Sequence, residues 1–124
     1  MTTALLLIAH GSRNRAANDD LFHLAEVMRG RGRYAHVEAA FLELADPPID
    51  AAGRRCAAHG VGRVVMLPYF LSAGVHVRDD LRRYRDALAA EFPAVAFVLA
   101  EPLGRHPLLV DVVAQRAEEA EVLS

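Results

Sequence analysis

The chain has 124 residues, 53% hydrophobic and 24% charged, with a formal net charge of −2. That is enough for one domain with a substantial core, and the charge balance excludes a surface built to bind a polyanion. Its basic residues are all arginine and Cys56 is the lone cysteine, which excludes a catalytic lysine, a Schiff base, a P-loop, an internal disulfide and a cysteine-based zinc site.

The first element is the run Ala4-Leu5-Leu6-Leu7-Ile8-Ala9, continuous enough to predict a central strand of a parallel sheet over 4–9. It stops on His10-Gly11-Ser12-Arg13. A helix is predicted over 15–30, with Leu21, Leu24, Ala25 and Met28 at helical spacing. A second strand over 37–42 leads to Glu43 and Asp46-Pro47-Pro48. The prolines suit the first turn of a helix ending at Gly60. A third strand over 63–68 runs into Pro68-Tyr69-Phe70-Leu71-Ser72-Ala73-Gly74-Val75-His76. The third helix, 77–91, presents Leu81, Tyr84 and Leu88 inward and stops before Pro93. A fourth strand over 94–100 gives way to Glu101-Pro102-Leu103-Gly104-Arg105-His106. The last helix, 107–122, is expected to bury Leu109, Val112, Val113 and Ala117, and the tail 118–124 to fray. No linker, repeat or low-complexity tract divides the chain. Four strands alternating with four helices predict a single α/β domain over 1–124. It is a doubly wound, flavodoxin-like parallel sheet of order 2-1-3-4 with helices on both faces. No secretory leader or apolar run of about 18 residues is present, so a cytoplasmic protein is expected.

In open α/β sheets ligands bind outside the carboxyl ends of the strands, where the strand order reverses. That edge gathers His10 after the first strand, Glu43 after the second and His76 after the third. Two neutral imidazoles and a carboxylate suit Fe²⁺, Co²⁺ or Ni²⁺, with positions left open for chemistry. The spacings alone form no metal motif; they matter only because the strand ends converge. His76 at a helix start is expected to stay neutral, since that position disfavours an imidazolium. Tyr69, Phe70 and Leu71 are apolar residues in a connection, a wall for a flat apolar ligand. Ser72 and Gly74 admit a close backbone approach. Arg13, Arg15, Arg78 and Arg105 lie near the same edge and suit carboxylates.

Each residue also has a plainer reading. His10 alone serves equally well as a strand-end histidine bonded to a carbonyl. Glu43 alone reads as a loop carboxylate, and His76 and His106 as residues at helix starts. His23, His36 and His59 read as solvent-side, and Cys56 as a small core residue. The run Arg29-Gly30-Arg31-Gly32-Arg33 reads as a solvated turn, and Asp79-Asp80 as first-turn acids.

Ala9-His10-Gly11-Ser12-Arg13, Phe41-Leu42-Glu43 with Asp46-Pro47, the stretch from Leu67 to His76, and Pro102-Leu103-Gly104-Arg105-His106-Pro107-Leu108 resemble the class II chelatases. The likeness is to the small sirohydrochlorin chelatases of the CbiX type, and the stretch before His76 is its most specific part. The resemblance implies ATP-independent insertion of Co²⁺, Fe²⁺ or Ni²⁺ into sirohydrochlorin, on the way to cobalamin, sirohaem or a nickel tetrapyrrole. The divalent metal is a substrate, and no nucleotide takes part. It assigns His10, Glu43 and His76 to the metal and the pyrrole protons. Ser12, Arg13, Tyr69, Phe70, Leu71, Ser72, Gly74 and Arg78 are expected to bind the macrocycle. It also implies a homodimer, with no nucleic-acid or membrane partner. The runner-up is a non-catalytic protein that binds or delivers metal or tetrapyrrole. A histidine phosphatase wants arginine before the histidine, where this chain has Ala9, and a receiver domain wants a lysine that this chain lacks.

Overall fold

Ala4 to Ile8, five consecutive side chains of the first strand, are all buried, because that strand lies inside the sheet with helices on both of its faces. The computed structural model describes residues 2–123. Its elements are β1 (Thr3–Ala9), α1 (Arg15–Gly30), β2 (His36–Phe41), α2 (Ile49–Ala57), β3 (Arg63–Pro68), α3 (Val75–Glu91), β4 (Ala96–Leu99) and α4 (Pro107–Leu123). The four strands form one sheet in the order β2-β1-β3-β4. All pairings are parallel, with Leu6 opposite Glu38 on one side and Met66 on the other. The doubly wound sheet expected from the alternation is the one observed.

Alternation along the strands divides the core in two. Leu6, Ile8, Ala40, Val64, Met66 and Phe97 face α2 and α3, with Ile49, Ala52, Cys56, Leu81 and Leu88. Leu5, Leu7, Val37, Ala39 and Phe41 face α1, with Leu21 and Ala25 buried and Leu24 and Met28 half-buried. Cys56 is the small core residue expected, and burial pushes its thiol up to about 12. No helix among the described residues is long and apolar enough to cross a membrane.

Several expectations are corrected. β4 covers four residues rather than seven, since only Arg63 to Met66 of β3 offer it a pairing partner. α2 begins after both prolines, with Pro48 at its N-cap. α3 begins at Val75, so Asp79 and Asp80 lie beyond its first turn, where they pair with Arg82 and Arg83. His36 and His59 do not sit apart in solvent. Their rings stack with centroids 3.6 Å apart, and His36 Nε2 lies 3.4 Å from Glu38. The largest departure is α4. Its helix runs through Leu123, one residue beyond the expected end; Ser124 lies outside the described residues. None of its residues is buried. The stripe of Leu109, Val112, Val113 and Ala117 meets no core of its own chain, because α4 makes no extended contact with any other element.

Candidate metal-insertion site

The chain turn after β1 is built around Gly11. Its φ is +93°, and a Cβ there would stand 1.7 Å from the Glu43 carbonyl oxygen, so only glycine lets these two loops touch. The sheet pairing continues through that contact. Leu42 N–H donates to the Ala9 carbonyl and Glu43 N–H donates to the His10 carbonyl, each at 3.0 Å. His10 and Glu43 are therefore joined through their backbones. Asn18 holds the other side of the turn: it accepts from Ser12 N–H at 2.9 Å and donates to the Ser12 carbonyl at 2.7 Å. Ser12 Oγ accepts from Asn14 N–H, and Asn14 in turn caps α1.

His10 and Glu43 line a cavity of about 530 Å³ with Leu42, Val77, Asp80, Arg83, Tyr84 and Ala87. The last five lie at spacings that share one face of α3. Tyr84 was legible only as a core residue, and it is half-buried against that core. The bond from Arg83 to Asp80 holds both side chains on the cavity wall. Asn18, Asp80, Arg83 and Tyr84 escape sequence reasoning. For the three on α3 the one signal is the helical spacing of Val77, Asp80, Tyr84 and Ala87.

The loop after β3 divides its apolar residues. Phe70 is not part of an apolar wall. It is 7% exposed, because it turns under His10 and stacks on the imidazole at 4.3 Å and 27°. It sets the ring's height and tilt. Tyr69 and Leu71 stay exposed; Tyr69 borders a smaller hollow beside His10, Gly11 and Ser12. Ser72 and Gly74 are exposed, and Gly74 is the N-cap of α3. Arg78 is half-committed to structure: its Nε donates to the Ala73 carbonyl at 3.1 Å, and its Nη1 lies 3.6 Å from Glu101. Arg13 is exposed beside Arg15 and Asp46. His106 accepts from Leu108 N–H at 3.2 Å and so marks the start of α4.

His76 is exposed on the first turn of α3 and does not border the cavity of His10 and Glu43. Among the described residues no three His, Cys, Asp or Glu side chains are grouped closely enough to hold an ion. The expected convergence of His10, Glu43 and His76 is thus met within one chain only by the first two. An ion bridging them with His76 needs His76 to arrive from elsewhere, or its side chain to move.

The chain matches the CbiX family over residues 4–120. It is 36% identical to the sirohydrochlorin ferrochelatase of Arabidopsis thaliana chloroplasts over 92% of this chain, but spans only 51% of that protein. It is 30% identical to the sirohydrochlorin cobaltochelatase of Methanopyrus kandleri, covering 94% of this chain and 96% of the relative. Among solved structures, the CbiX protein of Marinobacter aquaeolei VT8 superposes with a TM-score of 0.82 at 31% identity, over 98% of this chain and 99% of that one. The sirohydrochlorin chelatase SirB of Bacillus subtilis, in complex with cobalt, shares the fold with a TM-score of 0.86 at 24% identity, over 96% of this chain and 51% of SirB. With a family match spanning nearly its whole length and a relative of its own size, this chain belongs to the CbiX family.

Proposed function

We propose that residues 1–124 act as one chelatase domain that inserts a divalent metal ion, Co²⁺, Fe²⁺ or Ni²⁺, into sirohydrochlorin without ATP. The names of its relatives favour this over passive metal or tetrapyrrole delivery. The observation that carries the reading is the backbone bond from Glu43 to His10 at the mouth of a shared cavity. Insertion exchanges water on the ion for ring nitrogens and releases two pyrrole protons. A neutral imidazole binds an ion or takes a proton, and a carboxylate beside it carries the proton on to solvent. His10 on its Phe70 platform is the ligand or base nearest the ring, and Glu43 is the relay. Asp80, Arg83 and Tyr84 continue the same wall, where the arginine suits a macrocycle carboxylate. Ser12, Arg13, Tyr69, Leu71, Ser72, Gly74 and Arg78 form the outer rim. Two copies build the complete cleft, and His76 reaches the ion from the facing copy. The reaction takes place in the cytoplasm, whose reducing conditions suit a chain with a single buried thiol.

The test is anaerobic insertion of each metal, followed by the absorption change of the macrocycle. His10→Ala and His76→Ala should each lose about 100-fold or more. Mixing the two variants should restore part of the rate, because one hybrid site then has both histidines. Full rate in either variant overturns the assignment of that histidine. Loss in both without recovery on mixing overturns the facing-copy placement of His76.

A further inference from the structure

Leu44 is a leucine where neither the backbone nor the core asks for one. The loop that carries it is pinched at its base, where Phe41 N–H donates to the Pro47 carbonyl at 3.0 Å. On the incoming side Glu43 N–H is committed to the His10 carbonyl, also at 3.0 Å. The chain has to reverse between those two bonds, and it does so with Leu44 at φ +63°. That left-handed region suits glycine, and after it asparagine; it crowds the Cβ of a leucine. A side chain that filled the core would justify the strain, but Leu44 is 54% exposed. Residues held in this way gather at ligand sites, where the surrounding bonds over-determine their conformation. The demand for an apolar side chain at this position comes from outside the chain.

The neighbours of Leu44 narrow the chemistry of that demand. It borders a hollow of about 520 Å³ with Arg13, Arg15, Asp19, Phe22 and Asp46. Two arginines stand there against two aspartates, so the hollow carries no net charge to draw an anion. Its distinguishing feature is apolar. Phe22 is 42% exposed and packs edgewise with Phe41, ring centroids 5.5 Å apart. Leu44 and Phe22 therefore offer an open apolar surface beside the strand ends, with Leu44 next in sequence to Glu43. A hydrated metal ion gains nothing from two such side chains. A broad, flat, apolar ring does, because it can cover both.

We propose that Leu44 is a macrocycle-binding residue, held in the left-handed region so that its side chain stands clear of the core as an apolar rest for the tetrapyrrole beside Glu43. The proposal rests on the reading of this edge as a sirohydrochlorin site, and adds a residue whose part is to hold the ring. Covering the exposed half of a leucine is worth about tenfold in affinity, or about 1.4 kcal/mol. The contact is the same before and during insertion, so it acts on KM rather than on kcat.

Absorption titration of metal-free sirohydrochlorin gives Kd, and anaerobic Co²⁺ insertion gives KM and kcat. Leu44→Gly and Leu44→Asn both suit a positive φ and should melt within about 3 °C of wild type. Each should weaken binding of the metal-free ring about tenfold and raise its KM by as much, with the loss falling in KM rather than kcat. The asparagine variant separates loss of the apolar side chain from the added freedom of glycine. Leu44→Met, which restores an apolar side chain, should recover most of the affinity that asparagine loses. Wild-type affinity in both the glycine and asparagine variants overturns the inference. So does a much larger fall in Tm in both, which would mean that Leu44 packs for the fold, or a loss confined to kcat, which would mean that it acts through Glu43. A wild-type protein that neither binds sirohydrochlorin nor inserts metal overturns the chelatase reading itself. Normal wild-type insertion with unaltered variants overturns the role of Leu44 alone.

Discussion

Gly11→Ala should damage the site through the backbone alone. The added Cβ would lie 1.7 Å from the Glu43 carbonyl oxygen. Ordinary van der Waals contact begins at about 3.4 Å, so the Glu43 loop must retreat by about 1.7 Å. Retreat breaks the 3.0 Å bond from Glu43 N–H to the His10 carbonyl, a loss of about 0.5–1.5 kcal/mol. Holding alanine at positive φ costs about 1–2 kcal/mol more. The sum of roughly 1.5–3.5 kcal/mol lowers Tm by about 6–14 °C for a domain of this size. Moving Glu43 by more than an ångström from His10 should slow metal insertion about 100-fold. Gly60→Ala is the control. Gly60 has φ +69°, but nothing lies within 4 Å of where its Cβ would be. It therefore carries the dihedral penalty without the clash, and should lose about 1–2 kcal/mol with its insertion rate unchanged. Thermal melts and anaerobic insertion assays on both variants decide the matter. If Gly11→Ala matches Gly60→Ala in stability and keeps full rate, the backbone junction of His10 and Glu43 does not organise the site.

Phe70→Ala should cost about 3–5 kcal/mol, as truncation of a buried aromatic does. Phe70→Leu fills most of the volume but removes the ring under His10, so it should melt close to wild type while inserting metal more slowly. An unchanged rate in the leucine variant would show that the stack does not position the imidazole. Stability should also depend on His36. Burial first, and then the stacked His59, lower its pKa from 6.5. The unfolded chain therefore binds the proton first. The stability contributed by neutral His36 is complete above pH 6.5 and is lost as pH falls through the lowered folded value. His36→Gln should flatten that part of the profile in urea-midpoint measurements between about pH 7 and pH 5; an unaltered slope would assign the acid loss to other groups.

The topology and the pairing of His10 with Glu43 were legible because both follow from the neighbouring chain. An unbroken apolar run from Ala4 to Ile8 identifies a central strand. Parallel strands end on one edge, so a histidine ending β1 must meet whatever ends the adjacent β2. Gly11 is the residue that lets that meeting close to contact. Phe70 was legible as apolar but not as inward, because a loop has no periodicity to tell a buried ring from an exposed one. Asp80 and Arg83 were legible only as an ion pair on a helix. Their place on the cavity wall depends on how α3 is rotated over Leu42, which no single spacing in the sequence fixes. His36 and His59 were misread as solvent-side because they stand 23 positions apart at opposite ends of a βα unit. Only the packing of α2 against β2 stacks them.

α4 failed for a different reason. Its sequence states correctly that Leu109, Val112 and Val113 need to be covered. Hydrophobic pattern reports that a surface must be buried, and carries no information about which molecule does the burying. The same is true of His76, which lies on the expected edge yet outside the cavity of His10 and Glu43. Both residue sets are anomalous within one chain, and both become ordinary if a second copy supplies what each lacks.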